Sequence, residues 1–577
     1  MCGADVVVQC LVNHGVDTVF AYPGGYTIPL HQSLSRCDQI RVILPRHEQG
    51  GGFAAQGYAR STGKVGVCIT TSGPGASNLL TAVADAKLDS IPMVAITGQV
   101  PTTVIGTDAF QEIPTTEVFR SITKHHILVT HPNDLVRAFK EAFYVANTGR
   151  KGPVLIDLPK DIIQAMITPD YDVPMQLPGY LKQERPEPSE ESIQAWVDAL
   201  RQSQRPILYV GGGAAASDAA AEVRKLAEKT GIPVASTLMG LGVFPADHPL
   251  SLGMLGMHGG IYANRAVEEC DLLISLGARF DDRVTGKIQK FARHARIVHV
   301  DIDWSEINKI VPSAIAIHAD VRVALKMLNK AVKTLETSFQ PWVEQVQAWK
   351  KEFPLGYKNE EKYVLPQQAI QELCRMTKDD EPIVSVGVGQ HQMWSAQFFQ
   401  VNQPRHFLAS CGLGTMGFGL PAGMGAKVGN PDKMVIVIDG DGCAMMNLQE
   451  MATCYCEKIP VKVMILNNQH LGMVMQWEDR FFNKNRGNTY LGPIDNPENF
   501  GRGDGVMPEN RYPDFVTLAK GFGWSARFVA DPAELQDALR EMVECEGPFL
   551  LDVATPYCEH VLPMIPAGGS FEDTIKE

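Results

Sequence analysis

The chain has 577 residues, of which 45% are hydrophobic and 20% are charged. This balance is typical of a globular protein and excludes a disordered chain, a coiled coil and a small disulfide-stapled domain. With 52 basic and 65 acidic residues, the formal charge is −13. No basic run predicts binding to nucleic acid or to an anionic membrane surface. At about 150 residues per domain, the length predicts three or four domains.

The 12 cysteines are scattered along the chain without a C-x-x-C pair, which favours reduced thiols in a cytosol-like compartment. No apolar stretch reaches the roughly 18 residues needed to span a bilayer. Residues 1–15 have the pattern of an amphipathic helix and not of a signal or transit peptide, although a processed organellar protein would look the same. We therefore expect a cytoplasmic bacterial protein or, if processed, a plastid protein.

Short β-branched runs alternate with helix-length segments along the chain. Nine runs are predicted to be buried parallel strands: 65–70, 93–97, 154–157, 207–210, 272–276, 297–301, 434–438, 461–466 and 549–552. This alternation is typical of βαβ units and doubly wound parallel sheets. The predicted fold class is therefore α/β.

Two stretches interrupt this alternation. Residues 169–188 have no periodicity and are predicted to be a linker, and residues 339–366 are predicted to be a helix followed by a crossover. Three α/β units result, at about residues 1–170, 185–340 and 365–555. The Pro/Gly-rich tail, residues 556–577, is expected to fold over a site.

A phosphate and metal site is predicted in the third unit. Residues 434–451 contain a strand, the tripeptide GDG and a helix, and the next strand ends in Asn467-Asn468. A carboxylate and a carboxamide at neighbouring strand ends offer the oxygen ligands that Mg²⁺ prefers, and the glycines allow a diphosphate to approach a helix N-terminus. GDG alone could be an ordinary turn, but GDG followed by about 25 residues and NN is the thiamine-diphosphate motif. The expected metal ligands are the side chains of Asp441 and Asn468 and the backbone carbonyl of His470.

One carboxylate stands out in the first unit. Thiamine chemistry needs a glutamate that hydrogen-bonds the aminopyrimidine ring, while the protein otherwise supplies orientation. Glu48 follows a strand-like run and precedes a Gly/Ala-rich helix, which suits a closely packed cofactor pocket. Taken alone, Glu48 could equally be a helix N-terminal carboxylate that complements the helix dipole. Because Glu48 and Asp441 lie in different units, a cofactor that contacts both would sit between domains.

Motifs along nearly the whole chain carry a family resemblance. They are AYPGG (21–25), RHEQG (46–50), TSGPGASN (71–78), IGTDAFQE (105–112), ITKHH (122–126), LPKD (158–161), LGMLGMHG (252–259), RFDDRVTGK (279–287), GVGQHQMW (387–394), GLGTMGFGLP (412–421), NNQHLGMVMQWEDRF (467–481) and HVLPMIPAGG (560–569). Together they resemble the catalytic subunits of the acetohydroxyacid synthase (acetolactate synthase) family. RFDDRVTGK and VMQWEDR separate this family from other thiamine enzymes, and TYLG at 489–492 is closest to its plant and related bacterial branch.

The resemblance implies three α/β domains for pyrimidine, FAD and diphosphate binding. The implied cofactors are thiamine diphosphate, Mg²⁺ and FAD, with FAD mainly structural because the net reaction is not a redox reaction. The implied reaction decarboxylates pyruvate and transfers the two-carbon unit to a second pyruvate or to 2-ketobutyrate, the first common step of valine, leucine and isoleucine biosynthesis. Two subunits of a homodimer or homotetramer would share each thiamine diphosphate, and a separate small subunit would usually carry feedback regulation.

The resemblance also assigns roles to single residues. Glu48 would be the activating carboxylate, with Gln111 and Gly25 beside the reacting atoms. Met416 would prop the thiamine into its bent shape, although a plain core methionine gives the same sequence signal. The residues expected to bind thiamine diphosphate are Gln390, His391, Gly414, Thr415, Met416, Gly440, Asp441, Gly442, Asn468 and His470.

The residues expected to border the substrate are Phe110, Lys160, Met257, Arg283 and Trp477. Trp477 would favour 2-ketobutyrate by packing its extra methyl group, a contribution of about 1–3 kcal/mol; it could instead be a buried core residue. Arg283 would hold the carboxylate of the acceptor by a bidentate pair, or it could form a surface ion pair with Asp281 or Asp282.

The middle unit, together with Arg150 from the first, is expected to cradle FAD. A lone GGG could be a tight strand–helix turn, but the ordered set of residues favours a cofactor site. The set is Arg150, Gly211, Gly212, Gly213, Thr237, Leu238, Leu255, Gly256, Met257, His258, Gly277, Arg279, Asp281, Asp301, Ile302, Asp320 and Val321.

Three positions depart from the family pattern. Cys411 stands where glycine is usual and could crowd the diphosphate loop, Cys443 stands where serine is common after GDG, and Lys151 replaces the usual proline. Ala567 occupies a position that is often serine or alanine.

Two other functions remain open. Another thiamine enzyme is one: pyruvate oxidase would consume O₂ with pyruvate, whereas glyoxylate carboligase lacks the activating glutamate. The other is a non-catalytic FAD- and nucleotide-binding assembly subunit, which the presence of Glu48, Asp441 and Asn468 disfavours.

Overall fold

The computed structural model describes residues 1–180, 185–332, 338–358, 360–493 and 511–576. Within these ranges the chain forms three six-stranded sheets, and every strand pair in them is parallel. Helices form most of the connections, because parallel strands need long crossovers. The predicted α/β class with doubly wound parallel sheets is confirmed.

The first sheet has the strand order β2-β1-β3-β4-β6-β5. Its strands are β1 (Thr18–Ala21), β2 (Arg41–Ile43), β3 (Gly66–Thr70), β4 (Met93–Gln99), β5 (His125–Leu128) and β6 (Pro153–Pro159). Its helices are α1 (Gly3–Asn13), α2 (Ile28–Leu34), α3 (Glu48–Thr62), α4 (Pro74–Leu88), α5 (Thr115–Phe119), α6 (Leu135–Asn147) and α7 (Lys160–Gln164). The predicted N-terminal amphipathic helix is α1, which buries Val6, Val7, Cys10 and Leu11 in the core of this sheet.

The middle sheet has the order β12-β11-β10-β7-β8-β9. Its strands are β7 (Pro206–Val210), β8 (Val234–Ser236), β9 (Ser251–Met254), β10 (Leu272–Leu276), β11 (Arg296–Asp301) and β12 (Ile315–His318). Its helices are α8 (Glu190–Gln202), α9 (Gly212–Ala216), α10 (Ala220–Thr230), α11 (Ile261–Glu269), α12 (Asp282–Thr285), α13 (Val321–Ala331) and α14 (Gln340–Glu352). Read from its other edge, this is the strand order of dinucleotide-binding doubly wound sheets.

The third sheet, β14-β13-β15-β16-β18-β17, repeats the strand order of the first. Its strands are β13 (Ile383–Val386), β14 (Phe407–Ala409), β15 (Val435–Gly440), β16 (Lys462–Asn467), β17 (Ser525–Val529) and β18 (Phe549–Ala554). Its helices are α15 (Pro366–Met376), α16 (Gln390–Phe398), α17 (Gly419–Gly429), α18 (Asp441–Ala444), α19 (Glu450–Cys456), α20 (Gly472–Phe481), α21 (Phe515–Gly521) and α22 (Leu535–Glu544).

Each sheet has a point where the strand order reverses: between β1 and β3, between β7 and β10, and between β13 and β15. The loops that leave the carboxyl ends of two such strands turn to opposite faces, and a crevice opens between them. Gly25, Gly211 and Gln390 each follow the first strand of one pair. The three groups of candidate residues therefore meet at three crevices.

The first and third sheets share a hydrophobic core in which α3 packs along α17. This core includes Phe53 and Ala54 of α3 with Phe418, Ala422 and Met424 at or in α17. The rings of Phe53 and Phe418 meet edge to face at 5.5 Å. The joint core fixes α3, and with it Glu48, relative to the loops of the third sheet.

The predicted linker, as far as residues 169–180 and 185–188 show it, contains no helix or strand. Helix α14 is followed by irregular backbone up to α15 in the described residues 353–358 and 360–365. Across the described ranges, no helix combines the length and apolar character that crossing a bilayer requires.

Candidate active site

The first crevice brings three of the candidate residues together around Tyr26. The Tyr26 hydroxyl donates to the backbone oxygen of Phe110 at 3.0 Å, and the Tyr26 ring lies 5.7 Å from Nζ of Lys160. Gly25 precedes Tyr26 and has open space where a side chain would be. Phe110 is 81% exposed, so this end of the crevice has an apolar surface that a further molecule can cover.

Glu48 is the first residue of α3 and is half-buried. Its Oε2 accepts a hydrogen bond from Nδ2 of Asn78 at 3.0 Å. Its Oε1 lies 3.4 Å from the position that a Cβ on Gly75 would take, and Thr71 lines the same spot. The carboxylate is thus held by one oxygen, while the other faces the turn between β3 and α4.

Gln111 is held close to the same turn. Its φ is +63°, and a Cβ on Gly73 would lie 2.8 Å from the Gln111 carbonyl. Gly73 itself has a φ of +55°, so both the space and the backbone conformation require glycine there. The turn after β3 therefore connects Glu48 on one side with Gln111 on the other.

The candidate metal ligands lie at the ends of β15 and β16. Gly440 pairs with Leu466, which places Asp441 beside the segment that starts at Asn467. Asp441 is 3% exposed, and its Oδ2 has no hydrogen-bond partner. Burial, and secondly the charge of Asp552, raises the pKa of Asp441 to about 7. A buried carboxylate without a compensating charge is costly, so this site fits a divalent cation.

Asn468 and His470 form a tight turn after β16. The amide of His470 donates to Oδ1 of Asn468 at 3.0 Å, and Nδ1 of His470 lies 2.8 Å from the Asn468 carbonyl. The imidazole also stacks on Tyr557 with ring centroids 4.8 Å apart. The imidazole of His470 is therefore engaged within the protein, which is compatible with metal binding through its backbone carbonyl.

A diphosphate cradle surrounds Asp441. A Cβ on Gly440 would lie 2.8 Å from Nδ1 of His391, so only glycine fits between β15 and α16. Nε2 of Gln390 donates to Oε1 of Gln476 at 3.0 Å, whereas Oε1 of Gln390 is buried without a partner. Glycine backbone, a carboxamide oxygen without a partner and a carboxylate oxygen without a partner suit a magnesium diphosphate.

The loop after β14 approaches the other side of this cradle. Gly414 has a φ of +72°, Thr415 follows it, and Met416 is half-buried. The terminal methyl of Met416 lies 3.7 Å from the position of a Cβ on Gly442. The loop from Ser410 to Met416 thus borders the cradle.

The candidate FAD residues follow the carboxyl ends of all six strands of the middle sheet. In strand order they are Gly211, Gly212 and Gly213 after β7; Thr237 and Leu238 after β8; Leu255, Gly256, Met257 and His258 after β9; Gly277, Arg279 and Asp281 after β10; Asp301 and Ile302 at the end of β11; and Asp320 and Val321 after β12. At the reversal point, a Cβ on Gly213 would lie 2.7 Å from Cα of Gly277. The close approach of these loops forms the crevice that a dinucleotide occupies in such sheets.

At the crevice of the middle sheet, Arg150 and Asp320 form hydrogen bonds, whereas burial shifts the pKa values of Asp301 and His258. Arg150 reaches over from the first domain and donates to Oε1 of Glu306 at 2.6 Å and to Oδ2 of Asp303 at 3.3 Å. Asp320 caps α13. Burial raises the pKa of Asp301 to about 6 and lowers that of His258 to about 4.

The C-terminal tail connects the remaining candidates. Ile565 donates to the Met257 carbonyl at 2.8 Å, and Met257 donates to the Arg283 carbonyl at 2.7 Å. Met257, Arg283 and tail residues from Ile565 to Phe571 line one open cleft. Gln476, the neighbour of Trp477, donates to the carbonyl of Val561 at 3.1 Å, so the tail spans from α20 to the middle domain.

Two substrate candidates keep their side chains at the surface of this region. Trp477 is half-buried and contacts Phe481 with ring centroids 5.1 Å apart. Arg283 is exposed, and its closest carboxylate is that of Asp282, at 3.5 Å. Arg279, in contrast, forms a close ion pair with Asp281.

The sulfur atoms of the two unusual cysteines contact backbone groups of the third domain. Sγ of Cys411 is 3.5 Å from the Ala409 carbonyl. Sγ of Cys443 is buried and accepts hydrogen bonds from the amides of Gly417 at 3.0 Å and Val388 at 3.4 Å. The side chain at position 443 therefore accepts backbone hydrogen bonds, which a serine hydroxyl could also accept.

Two further candidate residues, Tyr26 and Glu450, were not among those predicted. Tyr26 adjoins the predicted Gly25, and an aromatic residue directly after AYPGG was an available signal. Glu450 begins the helix α19 that follows the GDG motif, but its partners are the amides of Arg46 and His47. No local pattern in the sequence reveals such a distant partner.

Comparison with known proteins adds independent evidence. Three family profiles match this chain: the N-terminal TPP binding domain of thiamine pyrophosphate enzymes over residues 1–118, the central domain over 193–328 and the C-terminal TPP binding domain over 387–553. The chain is 55% identical over 577 residues to acetolactate synthase 1, chloroplastic, of Zea mays, covering 99% of this chain and 88% of the relative. It is 52% identical over 579 residues to acetolactate synthase, chloroplastic, of Arabidopsis thaliana, covering 100% of this chain and 84% of the relative.

The chain belongs to the acetolactate synthase family. The predicted family membership and the predicted class of thiamine-diphosphate-dependent enzyme are confirmed. Thiamine diphosphate with Mg²⁺, and FAD, are its cofactors, as predicted for an acetolactate synthase.

Proposed function

We propose that this chain makes 2-acetolactate from two pyruvates, or 2-aceto-2-hydroxybutyrate from pyruvate and 2-ketobutyrate, with Glu48 and Asp441 at the centre of the site. The observation that carries this assignment is the buried, unpartnered oxygen of Asp441 beside Asn468, at the point where the third sheet reverses its strand order. The alternative of a non-catalytic assembly subunit would not need to keep such a costly carboxylate.

The residues act on a bound cofactor in distinct ways. Thiamine diphosphate, when bound, supplies the nucleophilic carbon that carries the two-carbon unit between the keto acids. Asp441 and Asn468, with the carbonyl of His470, hold the magnesium diphosphate. Glu48 has one oxygen fixed by Asn78, so its Oε1 is oriented to exchange a proton with the aminopyrimidine ring. Met416 supports the ring from the side of the cradle.

The substrate residues surround the rest of the cavity. Gly25, Phe110, Gln111 and Lys160 form the wall from the first domain, and the cation of Lys160 attracts the carboxylate of a keto acid against the negative charge of the whole chain. Met257, Arg283 and Trp477 form the outer wall. The exposed guanidinium of Arg283 binds the carboxylate of the acceptor, and the indole of Trp477 packs against its alkyl group.

The two halves of the site come from different protomers. The side chain of Glu48 bonds within the first domain, whereas the turn of Asn468 and His470 is bonded within the third. Apolar side chains are exposed around both halves, including Phe110 and the loop residues Leu413, Met445 and Met446. A second copy of the chain would cover these side chains and bring Glu48 to the cofactor held by its partner, so the active unit is at least a dimer.

FAD has a structural role in this account, because the net reaction transfers no electrons. Arg150 supports this role, since it joins the first domain to the FAD-binding middle domain through Asp303 and Glu306. The tail, residues 556–577, forms part of the cavity wall, and the domains follow the boundaries 1–170, 185–340 and 365–555. A plastid location, as in the chloroplastic plant relatives, and a separate regulatory subunit complete the proposal.

Product analysis tests this function directly. The purified protein is supplied with thiamine diphosphate, Mg²⁺ and FAD, and pyruvate and 2-ketobutyrate compete as substrates. We expect acetolactate, detected as acetoin after acid treatment, without stoichiometric O₂ consumption. Oxygen uptake that equals pyruvate consumption would indicate an oxidase instead.

The substitution Glu48→Gln tests the role of the carboxylate. An amide cannot exchange a proton in the same way, so activity should fall by about 100-fold or more, while FAD absorbance and the melting temperature stay close to those of the parent. Glu117→Gln, an exposed position on α5, is the matched control and should keep full activity. Near-normal product formation by Glu48→Gln would remove Glu48 from its role.

A further inference from the structure

A buried cluster of charges lies between the first and third domains. Arg60 of α3 donates through Nη2 to Oδ2 of Asp89 at 2.8 Å and to Oδ2 of Asp85 at 3.2 Å. The three side chains are at most 5% exposed. Gln56 accepts a further bond from the same Nη2 at 2.8 Å. With two carboxylates for one guanidinium, the cluster has acceptor capacity left for other groups.

The loop that follows β14 donates hydrogen bonds to the carboxylate oxygens of this cluster. The amides of Cys411 and Gly412 donate to the two oxygens of Asp89, at 3.0 and 2.7 Å. Arg60 donates through Nη1 to the Ala409 carbonyl at 3.0 Å. The loop backbone is therefore bound to the first domain at Ala409, Cys411 and Gly412.

Asp85 holds the other end of the same loop. Its Oδ1 accepts from the hydroxyl of Ser410 and, at 3.1 Å, from the hydroxyl of Thr415. The amide of Thr415 in turn donates to Oγ of Ser410 at 2.8 Å. Leu413, at the tip between these anchors, is 42% exposed, so the described contacts of the loop come mainly from the cluster below it.

The loop leads directly to the residues that border the cofactor cradle. Gly414 and Thr415 are followed by Met416, which lies next to Gly442. Beyond it, Gly417 is tied to the third domain through Cys443 and Asn447. The segment from Ser410 to Met416 is thus held by the charged side chains of Arg60, Asp85 and Asp89 on a different domain. These side chains are buried, so water cannot replace the bonds they make.

We propose that Arg60, Asp85 and Asp89 are positioning residues that hold the loop from Ser410 to Met416 in the shape that binds the thiamine ring. This inference rests on the proposed role of Met416 and extends it to residues of the first domain. Arg60 lies on the helix that begins with Glu48. The helix that presents Glu48 to one cofactor therefore also fixes the loop for the cofactor of its own chain.

The variant Asp89→Asn tests the proposal. An asparagine keeps the shape, but its NH₂ group must face either the Gly412 amide or the donors Arg60 and Cys411. Ser410→Ala is a second variant, made from the loop side. It removes the hydroxyl that donates to Asp85 and accepts from the Thr415 amide. Ser61→Ala is the matched control, because Ser61 lies next to Arg60 and bonds Asn430 of the third domain at 2.9 Å, away from the loop.

Two measurements are made on each full-length, FAD-containing variant. Hydrogen exchange without thiamine diphosphate should be at least tenfold faster in residues 409–416 of Asp89→Asn and Ser410→Ala, with little change elsewhere. Calorimetric titration with thiamine diphosphate in excess Mg²⁺ should show at least tenfold weaker binding. The Ser61→Ala protein should match the parent in both.

The outcomes separate this inference from the proposed function. If the parent binds thiamine diphosphate and both loop variants match it in exchange and affinity, the positioning role is refuted. A uniform rise of exchange with a lower melting temperature and unchanged affinity would also refute it, since that indicates only a structural role. If Asp89→Asn does not fold, Ser410→Ala decides. A parent that binds no thiamine diphosphate would overturn the proposed function itself.

Discussion

Glu450 shows how one buried side chain connects two domains. Its Oε1 accepts the amides of Arg46 and His47 at 3.0 and 3.1 Å, and its Oε2 accepts the hydroxyl of Thr453 at 2.8 Å. These amides immediately precede Glu48 at the start of α3. Glu450 therefore fixes the N-terminus of the helix that carries the proposed catalytic carboxylate.

The stability contribution of Glu450 should depend on pH. Burial raises its pKa from 4.5 to about 7, so between these values the folded protein keeps a proton that the unfolded chain has lost. The contribution is therefore fully present below about pH 4.5 and is lost as the pH rises through 7. Glu450→Gln lacks this titration. Relative to the parent, its free energy of unfolding should rise by about 2 kcal/mol between pH 5.5 and 8, as measured by urea unfolding. A difference that does not change with pH would contradict this assignment.

At this scale the sequence predicts residues that belong to contiguous motifs. Asp441 and Asn468 follow adjacent runs of β-branched residues, so their meeting at one sheet edge could be deduced from the order of elements. Glu450 and Arg46 are 404 positions apart, and the pairing of Arg60 with Asp85 and Asp89 depends on how α3 packs on α4. Such pairs have no signal in the periodicity of a single segment.

Among the secondary-structure elements, the pair α3 and α17 determines how the outer domains join. A Cβ on Gly57 would overlap the carbonyl of Ala422, and a Cβ on Gly425 would overlap the carbonyl of Ala54. These are backbone atoms of the opposite helix, which cannot move aside. The two glycines therefore permit a close helix–helix contact that no larger residue allows.

The substitution Gly57→Ala should separate these helices. We expect the free energy of unfolding to fall by about 2 kcal/mol or more, because overpacking against backbone shifts both helices, and thiamine diphosphate binding to weaken. Gly521→Ala is the control: this glycine ends α21, has no atom within 4 Å of its Cβ position, and should lose no stability. Thermal unfolding of both variants measures the difference, and equal melting temperatures would show that the close contact is not required.

The strands show why sequence patterns find some elements and not others. All nine predicted strands are present, and all nine are interior strands of their sheets. The six edge strands β2, β5, β9, β12, β14 and β17 were not predicted. Five of these six strands are partly exposed, as in β5, where all four residues are half-buried, and β14 is buried but has only three residues. Their sequences therefore lack the continuous apolar run of a longer strand buried on both faces. The interior strands β1, β8 and β13 were also missed, because they have only three or four residues.

For the whole molecule, three reversal points of strand order provide three crevices, and the proposed cofactor sites use all of them. The first and third sheets have the same strand order and share one core, so a single core joins the two domains that carry the two proposed half-sites. The family resemblance in the sequence implied that one of these domains binds the pyrimidine and the other the diphosphate, and that two subunits share each thiamine diphosphate. How the two proposed half-sites are arranged within one chain depends on the packing of α3 on α17, and the sequence alone does not show that packing.

The assembly of each site from two chains is tested most directly by mixing two inactive variants. Glu48→Gln and Asp441→Asn are combined in equal amounts, dissociated and allowed to reassociate. Half of the dimers are then mixed, and in each mixed dimer one site carries both substitutions while the other carries neither. We expect recovery of about one quarter of the parent activity. Pull-down through two different tags shows whether mixed dimers form. If they form and no activity returns, Glu48 and Asp441 act within a single chain, and the proposed assembly of each site from two chains is wrong.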